Sequence, residues 1–217
     1  VPFDLENGFV PISTIATVPL LVAVKADSPH RTLADLIAAA RARPEAISYA
    51  NASSSQHVAS ASLAAMAGVQ MLNVPYRSSP LAVQDLLAGR VDLFIADQAV
   101  ILPQAQAGTL RMLGVTSAER SPSVPDVPTV REAANLPDYE VIAWFCLFAP
   151  AGTPADRVAT LNRAVRGDAL APGGRTRHDH AFLDPRTGGR LRPGRDHQVD
   201  ECHPPGGYRA AIAVSPD

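Results

Sequence analysis

The stretch ISYANASSSQHVASASLAAMAGVQMLNVPYRSSPLAVQDLLAGRVDLFIAD, residues 47–97, decides how the chain is read. A short apolar strand from Ile47 to Ala50 runs into Asn51-Ala52-Ser53-Ser54-Ser55-Gln56-His57. A helical pattern follows at once, from about His57 to Ala67, with Gly68 placed to end it in a left-handed conformation. A second strand, Val69 to Val74, runs into Pro75-Tyr76-Arg77-Ser78-Ser79-Pro80. Ser79 reads there as an N-cap and Pro80 as a first helical residue. Leu81, Leu86 and Leu87 are expected on the buried side of that helix, which Gly89 ends. A third strand, Val91 to Ile95, ends at Ala96-Asp97. Serine hydroxyls and free backbone N–H groups at a helix N-terminus favour anions. Two such turns, each after a strand, predict a pocket for a small carboxylate or phosphate.

The flanking sequence continues the alternation. Ile12 to Val24 reads as an extended apolar segment, and Pro19 within it predicts an edge or crossover strand rather than a central one. Thr32 with Asp35 forms a capping-box pattern, and Leu33, Leu36, Ile37 and Ala40 follow helical spacing up to Pro44. A short helix is expected from Ala99 to Ala107 and a strand from Leu110 to Val115. Ser121 to Pro128, with three prolines, is a loop, and Thr129 with Glu132 caps a short helix. Tyr139 to Ala149 is a long apolar strand, and Thr153-Pro154 opens a helix with Val158, Leu161 and Val165 on one face. Strands alternating with helices at this spacing imply an α/β fold with a mainly parallel sheet. In such sheets ligands lie beyond the carboxyl ends of the strands, where both turns fall.

Composition narrows the function. A net charge of -2 gives no general pull toward nucleic acid or membrane. The apolar runs are of strand length, too short to span a bilayer. Cys146 lies in an apolar strand and Cys202 in a Gly/Pro-rich region, which argues against a structural disulfide. From Gly167 to Asp217 there are eight Gly, six Pro, seven Arg and four of the six His, and apolar periodicity stops. That segment reads as a poorly ordered tail, or as a frameshift product beginning near Gly167. His178, His180, His197, Cys202 and His203 match no standard zinc spacing, so no metal site is expected.

The order of motifs resembles the tripartite tricarboxylate transporter receptors, the TctC or Bug family, over about residues 1 to 166. Phe3-Asp4 through Phe9-Val10-Pro11-Ile12 looks like the family's "D…FxPI" entry. Tyr49 through His57 is similar to its "YGSxGxGSxxH" turn, with Ala52 and Ser53 where the family often has Gly. Val74 through Ser79 looks like "VPYKGS", and Leu86 through Asp92 like "LLGGxVD". Thr116 through Pro122 with Pro125 through Val130 resembles "TSxxRSPxxPDVPTxxE", and Ala149 through Pro154 its "APAGTP" turn.

The resemblance implies a type II periplasmic-binding-protein fold of two lobes joined by crossover strands, with one lobe incomplete. Residues 1–20 would be a remnant of the first lobe and the first crossover. Residues 21–142 would form the second, ligand-binding lobe, and 143–166 a return strand and helix of the first. It further implies a periplasmic, monomeric receptor that closes around a small carboxylate and delivers it to membrane components of the transporter. No cofactor, catalysis or nucleic acid enters this reading. The family's "PFxPGGxxD" loop, half of its clamp, has no counterpart here, so the chain is expected to be N-terminally truncated.

The expected ligand-binding residues are Ser53, Ser54, Ser55, Gln56, His57, Tyr76, Arg77, Ser78 and Asp97. Each has a plainer alternative. The serines and Asp97 could only cap helices, His57 could hydrogen-bond locally, and Arg77 could be a solvated surface cation. Three rival classes stand beside the receptor: a ligand-sensing domain of a regulator, a hydrolase using Ser55 and His57, and a non-functional fragment. The hydrolase lacks a G-x-S-x-G elbow.

Overall fold

The computed structural model describes Asp4 and residues 7–165. Its elements alternate as the hydrophobic pattern requires. β1 spans Phe9–Lys25, α1 Leu33–Ala42, β2 Ser48–Asn51, α2 Ser54–Ala67, β3 Leu72–Pro75 and α3 Ser79–Leu87. β4 then spans Leu93–Asp97, α4 Gln98–Gln106, β5 Leu110–Val115, α5 Val130–Ala134, β6 Ile142–Pro150 and α6 Ala155–Val165. The chain divides into two compact units. One holds residues 18–143, and the other, among the described residues, holds those up to 17 together with 144–165.

In the 18–143 unit the strands lie in the order β3-β2-β4-β1-β5. β2 pairs in parallel with both β3 and β4. β1 runs antiparallel between β4 and β5, with Leu20 opposite Asp97 and Leu21 opposite Val115. The long strand is therefore central here, not at an edge. Its ladder with β4 starts at Leu20, one residue past Pro19, so the missing proline N–H removes no bond from that ladder.

Alternation along the strands feeds two cores. Leu20, Val22 and Val24 of β1, with Leu93 and Ile95 of β4, pack under α1, α2 and α5 through Leu36, Leu63 and Val130. Leu21, Ala23, Phe94 and Ala96 face the opposite way, against Ala82, Val83 and Leu86 of α3 and Ile101 of α4. Helices thus cover both faces, which is why these strands read as continuous apolar runs. Both expected capping boxes form, at Thr32 with Asp35 and at Thr129 with Glu132. Tyr139, fully buried, donates from its hydroxyl to the Ala59 carbonyl at 3.0 Å and so ties the return segment to α2.

Two expectations shift. β3 begins at Leu72 rather than Val69, because Gln70 is engaged by the Glu45 N–H before the ladder starts. The N-cap of α3 is Ser78, one residue earlier than expected, and Pro80 occupies the second helical position. The buried stripe of α3 is Ala82, Val83 and Leu86, while Leu81 is 47% exposed.

The second unit is smaller. β6 pairs with β1. Ile12, Ala149 and Val158 form its buried cluster, with Val10 and Leu147 packed against it. Asn162 donates to the Ile12 carbonyl, which fixes α6 against the strand. Leu161, expected on the buried face of α6, is exposed, and Val158 alone of that face is buried. The tail from Gly167, with its histidines, Cys202 and the frameshift expectation, lies outside the described residues.

Candidate functional site

The register of the parallel strands builds the site. Asn51 stands opposite Pro75, so β2 and β3 end side by side and their turns emerge together. β4 ends at Asp97 beside them, because Tyr49 pairs with Leu93 and Ala50 with Phe94. From the end of β2 the chain turns into α2 on one face of the sheet. From the end of β4 it turns into α4 on the other face. A crevice at such a divergence is where open α/β sheets hold ligands. The Tyr76 N–H donates to the Asn51 carbonyl at 2.7 Å, and the Asn51 side chain donates to that of Asn73. The two turns are thereby sewn together at their base.

Ser53 caps α2, its hydroxyl accepting from the Gln56 N–H at 3.4 Å and lying 3.1 Å from the Ser55 hydroxyl. Ser53 and Ser54 are exposed, and Ser55 is half-buried. The N–H groups of the first turn of α2 have no carbonyl four residues back within the helix, so this end favours an anion. Ser78 occupies the corresponding place before α3, and its hydroxyl makes no capping bond. Asp97 precedes α4 and likewise does not cap it. Arg77 is exposed and makes no hydrogen bond or ion pair among the described residues. Among the described residues, Ser54, Ser78, Asp97 and Arg77 are thus the expected ones whose polar side chains stand uncommitted at this edge.

The other expected residues are engaged inside the unit. Gln56 is 1% exposed, and both ends of its amide are used. Its Oε1 accepts from the Ala52 N–H at 2.7 Å and its Nε2 donates to the Ser79 hydroxyl at 3.0 Å. His57 Nδ1 lies 3.3 Å from the Tyr49 hydroxyl, and the two rings stack at a tilt of 32°. No contact joins His57 to a serine hydroxyl, so the Ser55–His57 pair lacks the geometry of an activated nucleophile. The Tyr76 hydroxyl turns toward α3 and donates to Asp85 Oδ2 at 2.9 Å, while Arg90 pairs with Asp85 Oδ1 at 2.8 Å. Loss of solvation, and then the Asp85 carboxylate, push the Tyr76 hydroxyl up to about 12. Arg90 and Tyr76 hold the Asp85 carboxyl below its ordinary range.

Two contributors, Asp85 and Thr116, escaped sequence reasoning, and Ser79 was read there only as an N-cap. Ser79 and Asp85 act through partners on a neighbouring turn or helix turn. Thr116, fully buried, closes the end of β5 by accepting the Leu20 N–H at 2.8 Å. Aligning the ends of parallel strands would have brought Ser79 beside Gln56; nothing local marks Thr116. Among the described residues no group of three potential metal ligands occurs, and no helix is long and apolar enough to cross a membrane.

Comparison with known proteins agrees with this arrangement. The sequence pattern described as "Tripartite tricarboxylate transporter family receptor" matches residues 1–186. A protein from the tcbD-tcbE intergenic region of Pseudomonas sp. strain P51 is 45% identical over 174 residues, 79% of this chain and 52% of that protein. An adipate-bound R. palustris structure superposes with a TM-score of 0.71 at 37% identity, over 78% of this chain and 57% of that one. MatC from Rhodopseudomonas palustris, with bound malate, gives 0.66 at 32% identity, over 73% of this chain and 54% of that one. The chain thus spans about half the length of the relatives it matches. With a matching pattern over most of its residues and the α/β periplasmic-binding-protein fold, it belongs to the tripartite tricarboxylate transporter receptor family.

Proposed function

We propose that the edge built from the ends of β2, β3 and β4 binds a small carboxylate, and that the protein serves as the periplasmic receptor delivering it to the membrane components of a tripartite transporter. The observation that carries this reading is the side-by-side emergence of two serine-bearing helix N-termini. Backbone N–H groups of α2 and the hydroxyls of Ser54 and Ser78 would hold carboxylate oxygens, and waters would bridge the rest. Arg77 would supply the charge-assisted contact. Asp97 would accept from a ligand hydroxyl, amine or bridging water. Relatives of the same family hold adipate and malate, both dicarboxylates, which supports the ligand class.

Binding without turnover fits the residues. The imidazole of His57 is occupied by Tyr49, and the Ser53 and Ser55 hydroxyls pair with each other. A thermal melt of the chain against adipate, malate, citrate, aspartate and nicotinate tests the proposal. Only native-state binding raises the transition, by RT ln(1 + [L]/Kd). A concentration-dependent rise with at least one carboxylate is expected. A transition unmoved by every member of the panel at millimolar concentration would count against it.

A further inference from the structure

We infer that Gln56 is a positioning residue that holds the two ligand-facing turns in fixed register. The inference rests on the carboxylate-binding reading above for its consequence, but the lock itself is independent of any ligand. Gln56 sits on the first turn of α2, fully buried, between the turn after β2 and the turn after β3. Its carbonyl oxygen accepts from Ala52 on its own turn, and its amide nitrogen donates to Ser79, the first residue of α3. One planar amide therefore spans both turns. Rotation of the amide would place its NH2 group against the Ala52 N–H, two donors face to face, so the arrangement has one sense. The backbone of Gln56 is fixed as well, its N–H by Ser53 and its carbonyl by the Ser60 hydroxyl at 3.0 Å.

This geometry explains why a polar side chain occupies a buried place between two helices. A carboxylate gripped by both turns needs their N–H groups and hydroxyls at a set separation before it arrives. Ordering them in advance lowers the entropy cost of binding. An apolar side chain of similar volume would fill the space but leave the two turns joined only at their base.

Gln56→Met, Ser79→Ala and the double variant test this, with Ser60→Ala as the control. Ser60→Ala removes a buried hydrogen bond to the Gln56 backbone carbonyl and leaves both bonds of its side-chain amide in place. Amide exchange of the unliganded protein is read first. Gln56→Met is expected to speed exchange at Ala52 by tenfold or more, while Ser60→Ala leaves that amide within twofold. Unchanged protection of Ala52 in Gln56→Met would overturn the lock whatever the protein binds. Should Gln56→Met fail to fold, Ser79→Ala carries the same test from the far end, read at the amide of Ala52, which the Gln56 side chain holds. Unchanged exchange there would overturn it equally. Calorimetric titration with adipate is read second. Gln56→Met and Ser79→Ala should each weaken binding about tenfold, and the double variant no more than Gln56→Met alone, because the bond that Ser79→Ala deletes is one of the two that Gln56→Met deletes. Additive losses, or a loss matched by Ser60→Ala, would assign Gln56 to general stability instead. If the wild-type protein bound neither adipate nor malate, the functional reading would fail while the exchange result still judged the lock.

Discussion

The two units of this chain bury their strands to different degrees. In the 18–143 unit, β1 and β4 are covered on both faces, and Leu20 through Val24 and Leu93 through Ala96 are essentially inaccessible to solvent. In the other unit the same β1, continued toward its N-terminus, and β6 leave Phe9, Ile15, Trp144, Phe145 and Phe148 40–52% exposed. Side chains alternate along a strand. Ile12 and Ala149 pack inward with Val158, while Phe9 meets Phe148 edge-on at a centroid distance of 6.4 Å. Among the described residues, one strand therefore passes from a closed three-layer core to a thinly covered ribbon. The comparison teaches that apolar sequence alone does not make a core, because burial needs layers on both sides. It also places every expected site residue on the unit whose core is closed, where positions are best defined.

The sharpest way to break this comparison is to cut the same side chain from each unit. Phe94→Ala, in the closed core, should cost about 3–5 kcal/mol in urea unfolding and could abolish the cooperative transition. Phe148→Ala, already 43% exposed, should cost less than about 1 kcal/mol. Equal losses would mean that both units are equally packed. Next in size is Tyr139→Phe, which removes the hydroxyl's bond to the Ala59 carbonyl while that carbonyl keeps its partner within α2, and should cost about 1 kcal/mol. A change below about 0.5 kcal/mol would show that the return segment is not tied to α2. Thr129→Ala removes the cap of α5 and should cost about 1 kcal/mol, measured the same way.

The smallest effect concerns pH. The Tyr76 hydroxyl is raised on folding from 10.0 to about 12. Its contribution is therefore present below pH 10 and lost as pH rises toward 12. Asp85 is lowered from 3.8, so its contribution is present above that value and lost as pH falls through the folded one. Tyr76→Phe should flatten part of the alkaline decline in melting temperature. An unchanged alkaline limb would show that Tyr76 ionisation is not coupled to folding.

What was legible in the sequence was local. The capping boxes at Thr32 and Thr129 lie within four residues and formed as read. The left-handed ending at Gly68 did too. Both serine turns were found because a strand, a serine cluster and a helix follow one another in the chain. What was not legible depends on partners far away in sequence. Pro19 pointed to an edge or crossover strand; β1 does run through both units, but within 18–143 it is central, because its ladder with β4 begins only after the proline. Leu81 read as core, but starting α3 at Ser79 turned Ala82, Val83 and Leu86 inward. Gln56 looked like one more polar group beside serines. Its partner Ser79 lies across a strand pair, and no local pattern announces that.

The most direct test of the central claim is an amide chemical-shift titration of the isotopically labelled chain with adipate and with malate. Saturable shifts concentrated at Ser53 to Gln56, Tyr76 to Ser79 and Asp97 to Gln98 are predicted for at least one of the two. Shifts absent at these amides, or confined to residues of β6 and α6, would contradict the assignment of carboxylate binding to the ends of β2, β3 and β4.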